Sequence, residues 1–212
     1  MEQQLFVSKY SLMSRPRKIS CEQIIETARK LFLQQGIGVS TAAIAKEMGV
    51  SEGLIFKRFP TKDELFLAAM CPPETTLDQF IAARVGHGDV RQNIRELCNQ
   101  VIGHLREVLP RMMLMFAHHC SPPLEWMKNH PSPPPLRLLR QICRYLEEET
   151  NLGRIASNHT QILARILLGS LHNYVFLEII GADRQVPLPQ HIFVHELVEL
   201  VWKGISDART PQ

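Results

Sequence analysis

Residues 40–59, "STAAIAKEMGVSEGLIFKRF", constrain the fold more than any other stretch, because they set two short helix starts around one sharp turn. Ser40 is an N-cap residue, able to accept a hydrogen bond from a free N–H of the helix it opens, over about 40–48. Ile44, Ala45 and Met48 share one face of that helix. Gly49 supplies a left-handed backbone that residues with a Cβ avoid, Val50 plugs the core, and Ser51 caps a further helix over 52–58 that stops before Pro60. Two short helices joined by a tight Gly turn form a helix-turn-helix.

The flanks extend the helical reading. Ser20 and Gln23 form an S-x-x-Q capping box for a helix over about 20–35. Its apolar stripe is Ile24, Ile25, Ala28, Leu31 and Phe32, and Gly36 ends it. "TKDEL" opens another helix, with Thr61 and Glu64 as a second capping box, running to about Met70 and broken by Pro72 and Pro73. Helices are predicted over about 74–85, 89–108, 110–119, 134–150, 158–180 and 190–204, with six prolines making residues 121–135 a rigid, irregular connection. No stretch alternates apolar and polar residues as a strand would, and no N-G or D-G hairpin turn occurs. The expected fold is all-α: a basic arm over 1–18 containing "SRPRK", a helix-turn-helix domain over 19–70, and a helical body over 71–212. The arm suits a phosphate backbone, or is a solvated tail.

Charge divides along the same boundary. The chain has a net charge of +3, with 10 Lys and Arg against 7 Asp and Glu in residues 1–70 and 14 against 14 in residues 71–212. A basic front module on a neutral body suggests a polyanionic partner. The five cysteines are odd in number and lack C-x-x-C spacing, so free thiols are expected rather than a disulfide scaffold or zinc knuckle. His118, His119 and Cys120 are adjacent and lack the i, i+4 spacing of helical metal ligands. No G-x-S-x-G elbow, H-E-x-x-H pair or Gly-rich phosphate loop occurs, and the acids at 147–149 suit a solvated helix end. No enzyme, cofactor or metal is therefore expected. No apolar run approaches a membrane span, and the N-terminus lacks a signal-peptide core, so a cytoplasmic protein without membrane contact is expected.

On a helical wheel for 52–59, Ile55 and Phe59 turn inward. Gly53, Leu54 and Lys57 face away, flanked by Phe56 and Arg58. That face suits a major groove. Gly53 permits close approach, Leu54 can meet a thymine methyl, and Lys57 can reach guanine or a phosphate. The alternative is a solvated helix face. Lys62 favours the groove, because a cation at the start of a helix opposes the macrodipole unless a phosphate sits there. The Ser40 helix start, with Thr41, would provide a second phosphate clamp.

"IIETARKLFLQQG" (24–36) and "STAAIAKEMGVSEGLIFKRFPTKDEL" (40–65) together resemble the DNA-binding domain of the TetR family of transcriptional regulators. "ARILLGSLHNYVF" (164–176) and "FVHELVELVWKGI" (193–205) are similar to the family's last two helices, which typically form a four-helix dimer bundle. The resemblance implies phosphate contacts from Ser40, Thr41 and Lys62, and base or backbone contacts from Glu52, Gly53, Leu54, Lys57 and Arg58. Phe56 stands where the family usually has a tyrosine whose hydroxyl meets a phosphate, and Arg58 where histidine or tyrosine is usual.

The body then becomes an effector-binding and dimerisation domain. Apolar residues cover most of the circumference of 190–205, and Gly169 with Ser170 leaves room for a helix to approach 158–180. A homodimer through 158–180 and 190–205 is expected, the alternative being the central helix pair of a monomer. Within "RMMLMFAHHC" (111–120) and "LEWMK" (124–128), the candidates for lining an effector cavity are Arg111, Met112, Met115, Phe116, His119 and Trp126, with Met113 and His118 nearby. Plain core packing is the alternative. The expected function is a ligand-responsive repressor that binds a near-palindromic operator in double-stranded DNA as a dimer. The competing reading is a protein-interaction adaptor or small-molecule-binding protein whose helix-turn-helix does not read DNA.

Overall fold

The computed structural model describes residues 19–73, 76–118, 134–156 and 159–205. The described residues form helices without a strand, in two compact units, one ending at Cys71 and the other beginning at Pro72.

The first unit contains α1 (Cys21–Gln35), α2 (Thr41–Met48), α3 (Glu52–Phe56) and α4 (Lys62–Met70). Both bonds of the Ser20–Gln23 capping box are present, at 3.2 and 3.0 Å. Gly49 closes α2 at φ 68°, the left-handed conformation the sequence requires of it. The helices surround a small core of Ile24, Ala28, Phe32, Ile44, Ile55, Leu65 and Phe66, all fully buried. The Phe32 and Phe66 rings meet edge to face, with centroids 5.2 Å apart. Arg29 ties α1 to the end of α4 by donating from Nε to the Ala69 carbonyl at 2.9 Å.

Two local expectations change here. α3 ends at Phe56 rather than near 58, because Arg58 N–H bonds the Ile55 carbonyl in a tightened last turn. Ser51 occupies the N-cap position without making a side-chain cap bond. At α4, Thr61 accepts from the Glu64 N–H at 3.1 Å.

The second unit holds α5 (Leu77–Arg84), α6 (Val90–His118), α7 (Pro134–Asn151), α8 (Thr160–Ile179) and α9 (Gln190–Ile205). A short 3-10 turn, Ala182–Arg184, follows α8. α6 is the spine, packed by α5, α8 and α9, while α7 lies against α8 and α5. The sequence divides α6 at Pro110, but the helix runs through it. An interior proline costs about 3 kcal/mol. Val108, Leu109 and Met112, buried on either side of it, each contribute roughly 1.5–3 kcal/mol by leaving water, so continuity wins.

A buried polar hub fixes the α5–α6 turn. Glu149, fully buried, accepts from the Gly86 N–H at 3.2 Å and pairs with Arg154 at 3.3 Å. Asn93 donates to the His87 carbonyl at 2.7 Å. The arm over 1–18 and the proline-rich connection up to residue 133 lie outside the described residues.

Candidate nucleic-acid interface and effector cavity

The helix-turn-helix presents a continuous exposed surface of Gly53, Phe56, Lys57 and Arg58, while Ile55 is the buried anchor beneath it. A Cβ at Gly53 would meet nothing within 4 Å, so that surface is open at its middle. Phe56 is 40% exposed, a large apolar ring left in water on an otherwise polar face. Arg58 reaches back along the surface, where its Nη1 lies 3.0 Å from Cys21 Sγ. Its charge also helps to hold the Glu22 carboxyl below the usual range, after Glu22's own N–H and the Ser20 hydroxyl.

The remaining candidates have partners inside the unit. Ser40 is exposed and caps α2 by accepting from the Ala43 N–H at 3.1 Å. Thr41 is buried, and its hydroxyl donates to the half-buried Glu52 carboxylate. This bond joins the first residue of α2 to the first residue of α3 and sets the two helices against one another. Thr41 is therefore turned into the unit, where its hydroxyl finds a carboxylate. Lys62 is half-buried and donates from Nζ to the Ile37 carbonyl at 2.7 Å, which accounts for a cation at the start of α4. Leu54 is half-buried and borders the exposed face.

The second unit contains an almost wholly apolar cavity of about 280 Å³ between α6, α7 and α8. One wall is a ladder on α6 at four-residue intervals: His104, Val108, Met112 and Phe116. Leu105, Leu109 and Met113 stand beside it. The opposite wall is a second ladder on α8, Leu168, His172 and Phe176, and Leu138 of α7 closes one side. The His172 and Phe176 rings are nearly parallel, with centroids 6.3 Å apart. Burial lowers the His104 pKa, with Arg111 acting in the same direction and Glu107 against it.

Of the sequence-predicted lining residues, Met112 and Phe116 face this cavity. Arg111 and Met115 do not. Both are buried, with Met115 in the core and Arg111 3.6 Å from Glu107. A helix advances about 100° per residue, so 111–116 cannot all be aimed at one space. His119 and Trp126 lie outside the described residues. The lining that sequence reasoning missed, His104, Leu105, Val108 and Leu109 of α6 with the α8 ladder, carries a legible signal in its i, i+4 spacing. Splitting α6 at Pro110 hid the ladder.

Residues 24–69 match the family described as bacterial regulatory proteins, tetR family. The chain is 20% identical over 186 residues to YvkB of Bacillus subtilis (strain 168), an uncharacterized HTH-type transcriptional regulator, covering 87% of this chain and 96% of that one. Among solved structures, it is similar to a candidate transcriptional regulator of Saccharomonospora viridis in complex with choline. The TM-score is 0.66 at 19% identity, over 87% of this chain and 96% of the other. It is also similar to the transcriptional regulator FadR of Bacillus subtilis in complex with stearoyl-CoA. There the TM-score is 0.60 at 16% identity, over 88% and 100% of the two chains.

Proposed function

We propose that this chain, whose residues 24–69 match the tetR family of bacterial regulatory proteins, is a DNA-binding transcriptional repressor whose operator affinity is set by a small molecule in the second unit. The observation that carries the reading is the exposed α3 face, where Gly53, Lys57 and Arg58 surround an open patch with an unburied Phe56. Such a face suits the major groove, with Lys57 reaching a base edge or phosphate and Arg58 the backbone beside it. Ser40, exposed at the N-cap of α2, suits a phosphate. The Thr41–Glu52 and Lys62–Ile37 bonds hold the face rigid, and rigid scaffolds make precise sites.

The working form is a homodimer through α8 and α9, acting in the cytoplasm on a near-palindromic operator. α8 supports this reading. It is apolar and long enough to cross a membrane by length and composition, yet only 22% of its apolar window is buried. Ile162 and Ile166 of α8 and Ile192 and Leu200 of α9 are all exposed, Leu200 at 68%. A second copy would cover them. Ligands bound by relatives of the same fold, choline in one and stearoyl-CoA in another, support an effector role for the apolar cavity. Effector binding would favour a dimer whose reading heads no longer match the half-site spacing.

A mobility-shift titration against DNA upstream of the protein's own gene tests this. The expected result is sequence-selective binding that weakens with salt. Lys57→Ala should weaken it and reduce the salt slope. Binding that ignores sequence would refute the regulator reading. If Lys57→Ala left both affinity and slope unchanged while binding to a protein partner persisted, the adaptor reading would stand instead.

A further inference from the structure

The cavity between α6, α7 and α8 has a chemical bias beyond being apolar. None of its described lining residues is a Lys, Arg, Asp or Glu. The charged side chains beside it pair with one another and do not line it: Glu107 with Arg111 at 3.6 Å, and Arg106 with Glu178 at 2.7 Å. An ionised ligand would leave water for a wall without a counter-charge, and burying an uncompensated charge is heavily penalised. A pure hydrocarbon would pay no such penalty, but would make no use of the two imidazoles that line the cavity, the half-buried His104 and the exposed His172. Those imidazoles are the directional polar groups of the described wall. Burial favours the neutral form of His104, which then offers one donor and one acceptor. The His172 and Phe176 rings are nearly parallel with centroids 6.3 Å apart, and a planar group can lie against rings so aligned. At about 280 Å³ the cavity sits at the small end of ligand sites.

We propose that this cavity selects an uncharged, largely hydrocarbon, preferably planar molecule bearing one hydroxyl or carbonyl group, which hydrogen-bonds His104 or His172, and that it discriminates against carboxylates and ammonium ions of the same shape. This rests on the reading of the cavity as the effector site. The chemistry of the wall gives the class independently of any effect on DNA.

The test is calorimetric titration of the full chain at pH 7.5 with three probes of one skeleton: 2-naphthol, 2-naphthoate and 2-naphthylmethylammonium. Naphthol is expected to bind at least tenfold tighter than either ion. His104→Asn and His172→Asn are expected to change naphthol affinity several-fold in at least one case. Met113→Lys is a second arm. Met113 lines the cavity and is 40% exposed, so a lysine there is tolerated by the fold and supplies the missing cation. It should shift the preference toward naphthoate. Either ion binding as tightly as naphthol, or none of the three binding, overturns the proposal. Naphthol binding that leaves the affinity for an operator duplex unchanged refutes the effector reading alone.

Discussion

Replacing Gly53 with alanine separates the fold of the front unit from what its surface does. Gly53 is exposed in α3, its φ is outside the left-handed range, and an added Cβ would meet nothing within 4 Å. The fold therefore has no use for the missing side chain. Alanine is favoured over glycine in a helix by about 0.5–1 kcal/mol. Gly53→Ala is expected to leave the first unit as stable as before, or more stable by up to that amount. DNA sees a different change. If the helix lies in a major groove with Gly53 at closest approach, the extra methyl is an overpacking error, worth roughly 1–3 kcal/mol in a close-packed contact. A dimer makes that contact twice. Two heads at the lower figure give about 2 kcal/mol, roughly 30-fold in affinity. Fluorescence anisotropy with a labelled operator duplex, run beside thermal unfolding of the same preparations, reads both effects. Unchanged stability with affinity falling at least about 30-fold is the expected outcome. Equal affinity in a folded variant would mean that α3 does not approach DNA at Gly53, and the groove geometry argued from this face would fail.

Lys62→Met should cost the first unit about 1–2 kcal/mol in urea unfolding, because the charge-assisted bond to the Ile37 carbonyl is lost. If Lys62 also clamps a phosphate, the salt slope of operator binding should fall by about 0.9 per head, and an unchanged slope would assign it to the fold alone. Phe56→Tyr should preserve or tighten operator binding, while Phe56→Ala should weaken it; normal titration of the alanine variant would reduce the ring to surface packing. The lowered His104 pKa gives a pH dependence with a definite sign. Above about pH 6.5, the ordinary histidine value, His104 is neutral in both folded and unfolded chains. As pH falls below that, the unfolded chain takes up the proton first, so stability falls, by at most about 1.4 kcal/mol per pH unit for one group. His104→Asn should therefore flatten the stability profile between pH 5 and 7 relative to the parent chain, and parallel profiles would show that His104 titrates as it does in the unfolded state.

The first unit was legible because local chemistry determines it. Ser20, Gly36, Ser40, Gly49 and Thr61 act within a few residues of themselves, and the structure places a helix end beside each of them. What the sequence did not disclose are the bonds that cross between elements. Thr41 to Glu52 spans 11 positions and Lys62 to Ile37 spans 25. Each changes how a candidate residue reads, turning Thr41 inward and giving Lys62 a partner within the unit. The cavity was only partly legible for a similar reason. Met112 and Phe116 stand in an obvious apolar run, but Leu168, His172 and Phe176 join them from α8, more than fifty residues further along the chain. Helical spacing shows which residues share a face, not which faces meet. Pro110 misled because a local penalty was weighed without the burial on both sides of it.

The central claim is that the α3 face reads base sequence. Selection of duplexes from a random library by the full chain, followed by sequencing, tests it most directly. One near-palindromic site should be enriched, and that preference should be lost or relaxed when Lys57 and Arg58 are both changed to alanine. A chain that enriches no sequence, or a double variant that enriches the same site as strongly as its parent, would contradict it.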